Sequence, residues 1–145
     1  MPLELNRVHY VDLNPRQQEN YNFHKISAVL ADFGFTTLRL TDDWHGADFI
    51  ALHIDGETFL RVQLKGRLTF LKRYRGKSLR VAFPSDGDWY LYPHDELLDA
   101  MLAESNIGNT KSWLDDGVYS FGSLSHRNRD LLEPYLIAGP DLRVG

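Results

Sequence analysis

A chain of 145 residues, 43% hydrophobic and 25% charged, is long enough for one domain with one core. Folding at this size buries roughly 68–70% of the surface that the unfolded chain exposes, so no covalent staple is needed. The lack of cysteine excludes disulfides, zinc–thiolate sites and a thiol nucleophile, and suits a reducing cytoplasm. No stretch approaches the roughly 20 apolar residues that span a bilayer, and the first residues lack the basic start and apolar run of a signal peptide; a soluble cytoplasmic protein is expected.

The first predicted element is a helix from Pro15 to Phe33. Asn14 is placed to cap it, Pro15 suits the first helical position, Gln17 stands where a capping-box side chain reaches back, and Gly34 ends it. Phe23, Ile26, Leu30 and Phe33 recur at helical spacing and predict its buried stripe. A short strand is expected over Thr36–Thr41. Two apolar runs, Ala47–Ile54 and Thr58–Leu64, then flank Asp55-Gly56, which predicts a hairpin with a type I′ turn.

A further strand pair is expected at Leu79–Phe83 and Trp89–Tyr92, joined by Pro84–Asp88, while Lys72–Lys77 reads as either a loop or a distorted turn. A second helix is predicted over Asp95–Glu104, Ser105–Gly122 has no single reading, and Ser125 is placed to cap a last helix reaching Ile137. The order predicts an α/β (α+β) fold, a mixed sheet flanked by helices, in one domain over 1–145 with a core at about 15–104 and a C-terminal helical extension at about 105–145.

With Asp55 and Gly56 at the turn, Ile54 pairs with Glu57 and Asp48 stands opposite Gln63. Strand periodicity puts Lys65 on the same face, and Gly46, opposite Lys65, leaves space there for a ligand or another backbone. Asp48 is either one arm of a polar site or a solvated strand end, and Lys65 either its partner or the start of a basic loop. Glu19 extends the stripe of the first helix, where a carboxylate needs a partner or a cation; alternatively it lies exposed in the first turns, favoured by the helix dipole.

The net charge of −4 conceals a segregation. Thr58–Ser85 holds no acidic residue and eight of the sixteen Lys and Arg: Arg61, Lys65, Arg67, Lys72, Arg73, Arg75, Lys77 and Arg80. The remainder carries −12. A local positive field on an acidic body steers a polyanion to one place; the same residues could equally pair with acidic segments elsewhere.

A helix carrying Glu19, then Gly46-Ala47-Asp48, then Val62-Gln63-Leu64-Lys65, resembles the PD-(D/E)XK nuclease superfamily. The arrangement is most similar to the helix-Glu, Asp, (E/Q)xK pattern of archaeal-type Holliday junction resolvases and some homing and restriction endonucleases. The resemblance implies a restriction endonuclease-like αβββαβ core and a metal-dependent endonuclease acting on DNA, with Mg²⁺ as cofactor and Mn²⁺ as a substitute. Asp48 would be the main metal ligand, Gln63 would offer its amide oxygen where the family usually has a second acid, and Glu19 would complete the shell directly or through water. Lys65 would position or help activate the attacking water. Arg61, Arg67, Lys72, Arg73, Arg75 and Lys77 would hold phosphates, and a twofold dimer is suggested. The glutamine also leaves open a catalytically silent domain serving nucleic-acid binding or assembly.

Other chemistries find little support. No histidine pair has HExxH spacing; His45 could support the site from beside it, and His24, five residues past Glu19, either approaches the site or has a surface or capping role. No GxGxxG, GxxxxGK[ST] or GxSxG motif occurs. The run Asp88–Pro93 reads as a core strand from which one Tyr could turn outward to stack on a base, and Trp113 has the same two readings.

Overall fold

The structure, a computed structural model, describes residues 1–139. Helix α1 spans Pro15–Ala31, and its capping box forms as the residues dictate: Asn14 Oδ1 accepts from Gln17 N–H at 2.8 Å, and Gln17 Oε1 accepts from Asn14 N–H at 2.9 Å. Ile26 and Leu30 are fully buried, each worth about 1.5–3 kcal/mol relative to exposure. The helix stops two residues earlier than predicted, because the chain turns at Asp32–Gly34, and Phe33 is left 46% exposed rather than closing the stripe.

Strands β1 (Phe35–Trp44), β2 (Ala47–His53) and β3 (Phe59–Leu64) form an antiparallel meander. A short β4 (Thr69–Leu71) and a 3-10 turn at Lys72–Tyr74 lead to β5 (Leu79–Ser85) and β6 (Asp88–Pro93), then α2 (His94–Glu104). After a π-helical turn at Ser112–Asp116 come β7 (Val118–Ser120), α3 (His126–Leu132) and β8 (Leu136–Ala138). The main sheet is mixed, in the order β1-β2-β3-β5-β6-β8, with β3 and β5 parallel; β4 and β7 make a second, two-stranded sheet. The β3–β5 crossover runs through β4 and the 3-10 turn with no α-helix, and α2 follows β6 instead.

Helix α1 covers one face of the sheet, over Phe49, Ala51, Val62 and Ala82. The other face carries the larger core, where Val81, Phe83 and Tyr92 meet Leu98 and Met101 of α2 and Leu132 of α3. Ile107 and Trp113 are buried in it, so the segment after Glu104 is packed against the sheet rather than appended to it. Pro134 stops the last helix at Leu132, and Leu136–Ala138 joins the sheet beside β6 where helix was expected to Ile137. Residues 140–145 of the expected extension lie outside the described residues. Tyr90, Tyr92 and Trp113 all point inward, so none is available to stack on a base. Among the described residues no helix is long and apolar enough to cross a membrane.

The tight positive-φ turns do not include the predicted Asp55-Gly56, though one falls inside the predicted Pro84–Asp88 connection. Positive φ at both central residues occurs at His45-Gly46 (52° and 88°), between the paired Trp44 and Ala47, and at Asp86-Gly87 (50° and 85°), between Ser85 and Asp88. Asp55-Gly56 instead lies in a four-residue loop between His53 and Thr58, where the Asp55 carboxylate accepts from Glu57 N–H, Thr58 N–H and the Thr58 hydroxyl. The loop keeps the register because it gains one residue on each side, so His53 faces Thr58 and the pairing sum is unchanged. Gly46 is not open space: an added Cβ would meet Leu79 Cδ1 at 2.6 Å and Tyr74 Cδ1 at 3.3 Å. With φ at 88° as well, Gly46→Ala is expected to destabilise by about 1–3 kcal/mol, read as a lower urea midpoint.

Helix α2 clamps the basic segment through a buried histidine. Leu71 N–H donates to His94 Nε2 at 3.2 Å, so the neutral ring carries its proton on Nδ1, 2.9 Å from Asp95 Oδ1. Gly76 N–H donates to Asp95 Oδ2 at 2.8 Å, and Arg75 pairs with Asp99 at 3.0 Å. Burial holds the His94 pKa below its ordinary 6.5, against the pull of Asp95 and with the push of Arg75. The unfolded chain then takes up the proton first as pH falls. Stability from His94 is therefore complete above about pH 6.5 and is lost as pH drops toward the folded value. A melting temperature that declines between pH 7.5 and pH 5, with a shallower decline in His94→Gln, is the expected result.

Candidate functional site

The β2–β3 ladder runs from Leu52↔Phe59 to Phe49↔Val62 and there the strands part. Beyond that point β3 stays paired with β5, through Gln63↔Val81, Leu64↔Ala82 and the Lys65 N–H donated to Ala82 at 2.9 Å. On the vacated side Asp48 replaces the ladder: its Oδ2 accepts from Leu64 N–H at 2.8 Å. The same register carried one step further sets Asp48 across from Gln63. On the β1 side the pairing also shifts, between Arg39↔Phe49 and Trp44↔Ala47, so residues 40–43 bulge beside Asp48.

Asp48 is half-buried, and its carboxyl pKa is raised above 3.8. Burial is the main cause, opposed by the Leu64 N–H, with Glu19 and Asp43 adding negative charge and Lys65 relieving some of it. The rise is therefore chiefly an effect of burial, to which the two neighbouring carboxylates add. Gln63 is buried, and its Nε2 makes a long 3.5 Å contact to Leu64 O. Lys65 Nζ lies 5.8 Å from the Tyr74 ring centroid.

Glu19 comes within electrostatic reach of Asp48 but is not buried. Its side chain is 59% exposed and pairs with Arg39 at 3.2 Å, while Arg39 also donates to Asn20 Oδ1 at 2.6 Å and lies over Phe23. Glu19, Asn20 and Arg39 line a cleft with Arg16, Leu40 and Thr41; Lys65 and Arg67 line a separate groove with Thr69 and Ser120. Arg39 and Asn20 were not anticipated from the sequence, since only the fold brings β1 beside α1.

Asp48 Oδ1 and the Gln63 amide oxygen are the kind of donors a hard divalent cation accepts, and the charges of Glu19 and Asp43 within reach of Asp48 favour one. The set is sparse: among the described residues no three His, Asp or Glu side chains cluster closely enough to hold an ion by themselves. It suits an ion that keeps most of its ligands as water and phosphate.

The basic residues divide. Arg61 lies over the Trp44 ring at 4.9 Å and donates to Lys77 O at 3.4 Å; Lys72 lies over Trp113 and Arg73 over Tyr74. Arg75 is already paired with Asp99, so its charge is partly spent. Among the described residues no carboxylate lies within ion-pairing distance of Arg61, Lys65, Arg67, Lys72, Arg73 or Lys77.

The geometry defines a mixed α+β protein whose polar cluster sits where two central strands separate. Among solved structures the chain is similar to the Holliday junction resolvase Hjc of the archaeal hyperthermophile Archaeoglobus fulgidus, at 15% identity and a TM-score of 0.43, covering 54% of this chain and 73% of that one. No family model matches the sequence, and no curated protein matches it.

Proposed function

We propose that the protein is a metal-dependent endonuclease of the PD-(D/E)XK kind, hydrolysing phosphodiester bonds in DNA. One observation carries the reading: a half-buried carboxylate, Asp48, at the parted end of β2 and β3, with an amide across from it and a lysine in electrostatic reach. Asp48 and Gln63 would hold Mg²⁺ or Mn²⁺, with Glu19 acting through water because Arg39 already occupies it. When bound, such an ion polarises the phosphate and lowers the pKa of the attacking water. Lys65 stabilises charge developing on the phosphate and orients the nucleophile. Arg61, Arg67, Lys72, Arg73 and Lys77 contribute phosphate contacts that position DNA without reading its sequence, with Arg75 a weaker contributor. A twofold dimer would allow both strands to be cut.

A second reading is a silent domain of the same fold that binds nucleic acid or assembles with a partner. The Glu19–Arg39 pair and the lack of a three-acid cluster among the described residues favour it. Cleavage of duplex, four-way-junction and single-stranded DNA, assayed with Mg²⁺ and with Mn²⁺, separates the two. The nuclease cuts at least one substrate and Asp48→Ala cuts none. A wild-type protein inert on the whole panel leaves the silent reading.

A further inference from the structure

Trp44 stands at the end of β1, paired with Ala47 and so next to the residue that precedes Asp48. Asp43, its other neighbour, is close enough to raise the Asp48 pKa. Of the three tryptophans, Trp89 and Trp113 are buried at 7% and 6% exposure, whereas Trp44 is 44% exposed. Its ring is not loose. The Arg61 guanidinium lies over it at 4.9 Å, and the guanidinium is itself held by the Lys77 carbonyl. The His45 ring meets it edge-on, with centroids 5.3 Å apart. The tip that carries them is a two-residue turn with both φ positive, set down on Tyr74 and Leu79 through Gly46.

Holding an indole in this way fixes its orientation before any ligand arrives, while 44% of the residue stays exposed to solvent. Burial does not require it, because no core cluster includes Trp44. Arg61 over it has no carboxylate partner among the described residues, nor do Lys65 and Arg73, which lie over the Tyr74 ring that Gly46 faces, or Lys77, whose carbonyl accepts from Arg61. An open aromatic surface stiffened by arginine, beside unneutralised cations, suits a ligand with both a π-face and a phosphate. A paired base inside a duplex offers its faces to its neighbours in the stack; an unpaired base has them free.

We infer that Trp44 is a stacking platform for an unpaired base, so that the site prefers DNA with single-stranded nucleotides next to the phosphate it holds. The inference rests on the nuclease reading for the chemistry at Asp48, but the platform works without cleavage. It selects substrate: Trp44 contacts a base flanking the reacting phosphate, while Asp48 and Lys65 act on the phosphate. Arg61 serves twice, as a phosphate contact and as the lid on the indole.

The test is equilibrium binding in EDTA, where no cleavage occurs. Intrinsic fluorescence of the wild-type protein is titrated with oligothymidylate and with a blunt duplex of equal length. Anisotropy of the same oligonucleotides, fluorescently labelled, then compares wild type with Trp44→Phe and Trp44→Ala. Quenching by oligothymidylate and a single-strand preference are expected. Trp44→Ala should lose about 5- to 150-fold of that preference, the span of one base–aromatic stack, and Trp44→Phe should keep part of it. Equal wild-type affinity for the two DNAs, or a preference unchanged in Trp44→Ala, overturns the platform. Should Trp44→Ala fold poorly, Trp44→Phe decides by whether the preference narrows. The nuclease reading fails separately, by absence of cleavage with Mg²⁺ or Mn²⁺.

Discussion

Asp48→Asn is expected to stop cleavage and, in the absence of metal, to raise the melting temperature at neutral pH. The Asp48 carboxyl titrates above 3.8 because burial, Glu19 and Asp43 disfavour its charge more than the Leu64 N–H and Lys65 favour it. A folded-state pKa above the unfolded one means that stability from the group is complete below about pH 3.8 and is lost as pH rises through the folded value. At pH 7 the wild type therefore carries an ionised carboxylate at a cost. The asparagine keeps an oxygen that can accept from Leu64 N–H and drops the charge. Calorimetry in EDTA at pH 7 and near pH 3.5 checks this: the variant should lead at pH 7, and the gap should close in acid. Mn²⁺ should raise the wild-type melting temperature and leave the variant's unmoved. A variant less stable than wild type at pH 7 would mark Asp48 as a satisfied structural carboxylate and remove the physical basis of the site.

Lys65→Met is expected to slow cleavage by about 10²- to 10³-fold, the range for losing one preorganised charge at a reacting centre. The ammonium is felt at Asp48, whose pKa it draws down, and among the described residues it has no ion-pair partner. Methionine retains most of the aliphatic stem and deletes the charge that lies over the Tyr74 ring. Ground-state affinity should change far less, by about one phosphate contact in the salt dependence of DNA binding. Arg67→Met, on the exposed loop lining the same groove, supplies the comparison: it should weaken binding by a similar amount and scarcely touch single-turnover cleavage of bound DNA. Equal small losses in both variants would place Lys65 among the general phosphate contacts.

What these variants share is a position whose neighbours come from distant parts of the chain. The β2–β3 register was legible because one face of the ribbon is buried, and a one-residue slip would have exposed Phe49, Ala51 and Val62. The turn type was not, since an Asp-Gly pair serves a type I′ turn and an Asp-anchored four-residue loop alike, and His45 gives no local sign that it takes positive φ. Glu19 stands four residues before Phe23, yet its exposure and its pairing with Arg39 depend on α1 packing beside β1.

The sequence by itself determined the capped first helix, the β2–β3 and β5–β6 strand pairs with the register of the first, the concentration of positive charge after Glu57, and the residue types at the parted strand end. These are properties of adjacent residues and of simple periodicity. Only the tertiary structure decided that β4 and β7 pair, that His94 holds the basic segment to α2, that Gly46 is filled by Leu79, and that Trp44 stands open beneath Arg61. Each of these joins segments whose meeting is set by packing two cores on opposite faces of one sheet, and no local pattern along the chain encodes which segments will meet.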